Sequence, residues 1–344
     1  MLIKKIIKMT TMKLQANIKQ CILAGIIAFC SLNSVAQTDP HFSQYYANPI
    51  WLNPALTGVV DGNYRASVNL KQQWSSLSNS YLTGGASFDV APTKNLAYGI
   101  TIMNQQAGEL DFNYLTALAS ASYRVRFGVQ GLNILNFGLQ AGIINRSFDM
   151  SKGRFGDQFD PGSGYNGSLP SGENLASSSS LVPDINAGFM YFDANPDKSA
   201  NLFFGASASH LTRPTEKFSG NSERTNIRYT GHGGVRIKTS PILDIIPNAL
   251  YMSQGNAREI SAGAYAQLMV NNTSNILFGG NYRVDDAAIA FVGLQLNNMV
   301  FGLSYDVNTS SLNTATRHNG GFELSVSLLG RNGIIGPNFF CPRL

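Results

Sequence analysis

From residue 63 onward the chain alternates. Leu115, Ala117, Ala119, Ala121, Tyr123 and Val125 occupy every second position, with Thr116, Ser120, Ser122 and Arg124 between them. Leu135, Phe137, Leu139, Ala141 and Ile143 repeat the pattern against Asn136, Gly138, Gln140 and Gly142, and Met299, Phe301, Leu303, Tyr305 and Val307 do so again. A period of two puts one set on each face of a strand, whereas a helix needs recurrence at three and four. Fourteen such segments are expected, over residues 63–72, 81–90, 96–105, 113–126, 134–144, 184–192, 201–210, 227–238, 246–254, 259–269, 276–284, 287–296, 298–307 and 320–329. Pro247 and Asn248 blur the alternation in one of them.

Strands near ten residues long, with one uncharged apolar face, suit an outer-membrane barrel. After residue 36 no apolar run approaches the ~18 residues of a spanning helix. A bilayer offers no water to a free sheet edge, so a spanning sheet must close. If residue 63 leaves the periplasm, every odd connection lies outside, and these include the long ones, 106–112, 145–183, 211–226 and 308–319. The intervening connections, such as 91–95 and 270–275, are short, as periplasmic turns are. A soluble β-sandwich would have shorter strands and more charge on its outer faces. The expected fold is all-β, an antiparallel transmembrane barrel of about 14 strands in the outer membrane.

Composition changes the picture mainly at the N-terminus. The formal charge of +5 rests on five lysines, Lys4, Lys5, Lys8, Lys13 and Lys19, in a stretch without acids. The apolar run from Cys21 to Leu32 and the small residues Ser34-Val35-Ala36 complete a secretory signal peptide, with cleavage expected after Ala36. Removing those five of the 25 basic residues leaves 20 against 20 acids. Nucleic-acid binding loses its electrostatic basis. Cys21 and Cys30 leave with the signal, so Cys341 stands alone and no internal disulfide is expected. The expected division is 1–36 signal peptide, 37–61 N-terminal plug segment, 62–330 barrel and 331–344 periplasmic tail.

The polar faces carry Arg65, Lys71, Arg124, Arg126, Arg228, Arg236, Lys238 and Arg283, against Asp89, Asp184, Asp306 and Glu323. Arg65, Arg124, Arg126, Arg228, Arg236 and Arg283 form the candidate basic lumen. Two readings stand: a salt-bridged, water-filled interior, or a surface that grips an acidic or polar peptide. The loop Asp149–Val182 is rich in Gly, Ser and Asn, and its Asp157 and Asp160 lack the spacing of an EF-hand. The four histidines form no His-x-x-x-His pair, and no Gly-x-Ser-x-Gly elbow, phosphate-binding loop or cysteine pair occurs. No catalytic residue, metal or cofactor is expected.

Before the first strand lies Asp39-Pro-His-Phe-Ser-Gln-Tyr-Tyr-Ala-Asn-Pro-Ile-Trp-Leu-Asn-Pro-Ala-Leu-Thr-Gly58. Its two Asn-Pro steps stop helices, and its aromatics Phe42, Tyr45, Tyr46 and Trp51 call for packing against the barrel mouth or inside it. Asp39, Pro40, Phe42, Ser43, Gln44, Tyr45, Asn48, Pro49, Asn53, Pro54, Ala55 and Gly58 closely resemble the opening motif of the PorP/SprF family of Bacteroidetes outer-membrane proteins. Trp74 and the Cys341-Pro-Arg343 tail fit the same pattern. The resemblance implies a part in type IX secretion, with a large secreted gliding adhesin or filament as partner, received through its C-terminal secretion domain and held at the surface. It carries no catalytic residues and assigns no role to single motif positions. A transporter or porin for a small solute is the other reading, because fourteen strands can enclose a cavity.

Overall fold

The computed structural model describes residues 39–74, 80–160, 162–169, 178–216, 223–311, 316 and 319–330. The expected signal peptide, the tail 331–344 and residues 170–177 of the long loop lie outside the described residues.

Fourteen strands close into one antiparallel barrel. They are β1 (Tyr64–Gln73), β2 (Tyr81–Val90), β3 (Leu96–Ala107), β4 (Phe112–Phe127), β5 (Asn133–Ser147), β6 (Ser179–Asp193) and β7 (Ala200–Ser209). The second half holds β8 (Arg228–Ser240), β9 (Leu243–Gln254), β10 (Ala257–Asn271), β11 (Ser274–Arg283), β12 (Ala287–Leu296), β13 (Met299–Asn308) and β14 (Asn319–Gly330). Each pairs with its neighbours in sequence, and β1 pairs with β14 from Tyr64↔Gly330 to Gln73↔Gly321.

All fourteen expected segments become strands, with two notable extensions. β6 begins at Ser179 rather than 184, and β9 at Leu243 rather than 246. The upper part of β6 reads as loop because of its serines and Pro183. It pairs fully with β5 but meets β7 only from Ala187 to Phe192. Its open edge is covered: Leu211 N–H donates to Ile185 O at 2.9 Å and Thr212 Oγ1 to Pro183 O at 3.2 Å. Pro183 itself offers no donor to a foreign strand.

The apolar face of the alternation points outward. Val68, Leu70, Ile100, Ile102, Leu139 and Ile260 are exposed, while Asn69, Thr101, Asn136, Gln140 and Ser261 face inward and are buried. This inversion of the soluble rule is what a lipid-facing wall requires. Exposed aromatics collect near both ends: Phe88, Tyr98, Tyr123, Phe137 and Phe204 at one, Tyr229, Tyr251, Tyr282, Tyr305 and Phe322 at the other. Such girdles mark the two interfaces of a membrane. The long connections 148–178, 210–227 and 309–318 share the second end, and the turns 241–242, 272–273 and 297–298 share the first. We call these the long-loop and short-turn ends; by loop length the former faces the cell exterior.

Candidate functional site

The polar inner wall is buried because the chain itself fills much of the lumen. Residues 39–60 run down the inside of the barrel from the long-loop end to the short-turn end, through three short helical turns, Tyr45–Ala47, Pro49–Leu52 and Pro54–Leu56. The prolines set these turns: Pro49 and Pro54 each sit in a first turn, where a missing N–H costs nothing. Asn53 caps the last one, its Oδ1 accepting from Ala55 N–H at 2.9 Å.

At the long-loop end Asp39 is the anchor. Its N–H donates to Gln254 at 2.8 Å. Its carboxylate lies 2.5 Å from His210 Nε2, 3.4 Å from the Arg228 guanidinium and 3.5 Å from that of Arg146. The other His210 nitrogen faces Asp184 at 3.0 Å. Arg146 and Arg228 also lie over the rings of Tyr114 and Trp51, at 4.5 and 5.2 Å. Trp51 Nε1–H donates to Pro40 O at 3.0 Å, which folds the start of the segment onto its middle.

One turn deeper, Ser43 and Gln44 bind the wall. Glu323 accepts from Ser43 N–H at 2.7 Å and from Gln44 N–H at 3.2 Å. Asp306 accepts from Ser43 Oγ at 2.6 Å and from Arg283 at 2.9 Å, with Lys71 Nζ at 3.6 Å. His41 pairs with Glu259 at 3.0 Å. Tyr45 donates to Asn248. Asn53 Nδ2 donates to Phe189 O at 3.0 Å and Ala206 O at 3.3 Å, two backbone carbonyls of the wall itself.

At the short-turn end Asn136 donates to Ala55 O, and Ser122 to Thr57 O at 2.7 Å. Gly58 takes a left-handed φ of 71°. Its N–H donates to Asp89 at 2.7 Å and its carbonyl accepts from Arg124 at 2.6 Å. A side chain there would also overlap Ala97. Asp89 is held by both Nε and an amino nitrogen of Arg65, at 3.0 and 2.9 Å, and Arg65 also donates to Val59 O and Leu56 O.

Every motif residue therefore lies inside the barrel. Phe42 is buried with Trp51, Met103 and Leu118, and Asn48 and Phe42 pack onto Gly85, where a Cβ would come within 3.0 Å of both. The candidate lumen arginines are engaged within the chain, among them Arg65 by Asp89, Arg124 by Gly58, Arg228 by Asp39, Arg236 by Asp244 and Arg283 by Asp306 and Asp286. Arg126 follows Arg124 on the same inward face. The interior is thus a bonded plug rather than a purely water-filled, salt-bridged channel. Sequence reading missed His210, Arg146, Gln254 and Asn136 as plug partners. It also missed the inward glycines Gly138, Gly188 and Gly205, which leave room for Pro54, Ala55 and Asn53. In the long loop, Asp160 Oδ1 accepts from Gly162 and Ser163 N–H in a turn, which accounts for that carboxylate.

The chain matches the family model of the type IX secretion system membrane protein PorP/SprF over residues 34–328. It belongs to that family. As a PorP/SprF protein it is an outer-membrane barrel of the type IX secretion system, a secretion or transport class rather than a known class of enzyme. A comparison with curated proteins finds no match. Among solved structures it is similar to the Ralstonia pickettii toluene transporter TbuX, at 13% identity and a TM-score of 0.48, covering 84% of this chain and 93% of that one. It is also similar to the monoaromatic hydrocarbon channel CymD, at 9% identity and a TM-score of 0.46, covering 85% and 95%.

The Asp39 cluster gives the plug of this PorP/SprF protein a pH dependence. Burial alone would raise the Asp39 carboxyl, but His210, Arg228 and Arg146 hold it well below the usual carboxylate range. Burial alone would lower His210, but Asp39 and Asp184 raise it to about 9. A raised folded-state value stabilises fully below the unfolded value of about 6.5 and is lost as pH rises through the folded one. Stability of the unmodified protein is expected to fall by roughly 3 kcal/mol from His210 between pH 7 and pH 10. The difference in unfolding free energy between it and His210→Gln, followed over that range, checks this; parallel curves would refute it.

Proposed function

We propose that this PorP/SprF barrel is a closed docking platform. It receives the C-terminal secretion domain of a large secreted surface protein, a gliding adhesin or filament, at its long-loop end, and helps secrete and anchor it. The observation that supports this is the plug, tied to the wall at Asp39, Ser43, Asn53 and Gly58. A lumen filled this way favours docking on the loops over passage through the barrel. The lumen arginines are spent on internal partners, which argues against an acidic peptide gripped inside.

The long loop offers contact chemistry. Phe159 and Tyr165 stand exposed on a short hairpin, their rings 5.4 Å apart, with Arg154 over Tyr165 at 5.4 Å. Exposed aromatics beside an arginine are what interface centres are built from. Outer membranes should yield one large secreted protein when this barrel is pulled down, and deleting its gene should strip that protein from the surface. Phe159→Ala with Tyr165→Ala should cut its recovery by about tenfold, the equivalent of 1.4 kcal/mol. Normal display of all secreted surface proteins after deletion would defeat the proposal.

The alternative, a transporter or porin for a small solute, requires the plug to yield. In planar bilayers the unmodified barrel is expected to show no steady conductance; a steadily open pore would favour transport.

A further inference from the structure

The plug leaves one part of the lumen empty. Below Ser43–Ala47, and beside Val59 and Val60, a cavity of about 160 Å³ lies against β9–β14 and opens toward the short-turn end. β12 lines it from Ile289 to Gln295, six steps at about 3.3 Å each, or roughly 20 Å along the tilted strand.

Elsewhere the inward apolar side chains, such as Met190, Phe203 and Leu250, are packed against the plug. Leu277, Ile289, Phe291, Val300 and Leu329, with the ring of Tyr265, also face inward, but here they line the cavity. Apolar side chains on the inner face of an outer-membrane barrel gain nothing from lipid and face the lumen instead. The plug offers this wall little more than Tyr45, Tyr46 and two valines.

The polar side chains on the cavity wall have partners elsewhere. Gln44 is bonded to Ser304, Ser325 and Glu323 O. Asn248 accepts from Tyr45 and donates to Ile246 O, and Asn281 donates to Asn248 at 3.3 Å. Arg65, at the mouth, is held by Asp89. The cavity therefore offers dispersion contact and few hydrogen bonds. A buried peptide would bring an N–H and a C=O per residue that find no answer, at a cost of about 1–3 kcal/mol each. An ionised group would fare worse. A space lined mainly by apolar side chains, with its charged residues Asp61 and Arg65 by the start of β1, suits a chain of methylenes, which gains about 0.8 kcal/mol per buried CH₂.

We propose that this cavity is a binding site for a single alkyl chain entering from the periplasmic side, either the acyl chain of a lipid or a free fatty acid. The site is independent of what docks on the loops.

The test uses the full chain in lipid nanodiscs, with cis-parinaric acid as fluorescent probe. One saturable site is expected above the lipid background. Leu277→Trp and Val300→Trp fill the cavity and should weaken binding at least about tenfold, a loss of about 1.4 kcal/mol. Leu139→Trp, on the lipid-facing wall, should leave it unchanged. Native mass spectrometry separates the two sources, since a retained phospholipid and a retained fatty acid differ in mass. A diazirine-labelled fatty acid on the unmodified protein gives a readout free of folding defects: label is expected on the peptides bearing Tyr265, Leu277 and Phe291. Uptake that never saturates, label confined to lipid-facing positions, or equal binding by folded Leu277→Trp overturns the proposal. So does binding that appears only after residues 331–344 are removed, because the occupant would then be the chain's own tail.

Discussion

Gly138→Val is expected to turn the closed barrel into a conducting pore. Gly138 faces inward on β5, and a Cβ built there falls on Ala55 N and on the Pro54 carbonyl. Both are backbone atoms of the plug, so no side chain can swing away. Overpacking of this kind usually costs about 1–3 kcal/mol when neighbours can shift. Here the shift must move the Pro54–Leu56 turn, and with it the bonds from Asn136 to Ala55 O and from Ser122 to Thr57 O. Steady current in planar bilayers, and sensitivity of cells to antibiotics too large for ordinary porins, should both rise well above the unmodified protein. A silent Gly138→Val barrel of unchanged stability would show that the plug does not pass this point.

The second large effect lies at the foot of the plug. Asp89→Ala removes the partner of Arg65 and leaves a buried guanidinium facing two plug carbonyls. Breaking a buried pair from one side costs about 3–5 kcal/mol. Asp89 also accepts from Gly58 N–H, so the loss reaches the turn that leads into β1. Urea unfolding in lipid vesicles measures it. Arg65→Met combined with Asp89→Leu should restore much of the loss, because the stranded charge is gone; additive costs in the double variant would deny that the two act as a pair.

The barrel was legible because a lipid-facing wall leaves a period-two signature in every strand, and fourteen of these survive even where Pro247 interrupts. The upper part of β6 was not, since Ser179, Ser180 and Pro183 carry a loop's composition. The plug was half legible. Two Asn-Pro steps and four aromatics between Asp39 and Gly58 said that the segment packs against something. They could not say against what, because its partners lie far along the chain: Asp39 meets His210, Asn53 meets Phe189, Ser43 meets Glu323. Alternation tells which face a residue takes but not which residue stands across a lumen. For the same reason Arg65, Arg228 and Arg283 could be read as a basic inner wall, while the carboxylates that hold them stood on other strands or on the plug.

The path of residues 39–60 also bears on how the closed sheet keeps its register. Glu323, on the last strand, is gripped by Ser43 and Gln44, and Arg65, on the first, grips Leu56 and Val59. The segment thus touches both strands of the β1–β14 seam, whose partners are some 250 or more residues apart in the chain. Joining ends so distant is the slow, entropically costly step of a closed sheet. With Ser43 and Gln44 bonded to β14 and Leu56 and Val59 bonded to β1, the segment is an internal strap across that seam, and any slip of its register would have to break the strap as well as the ladder.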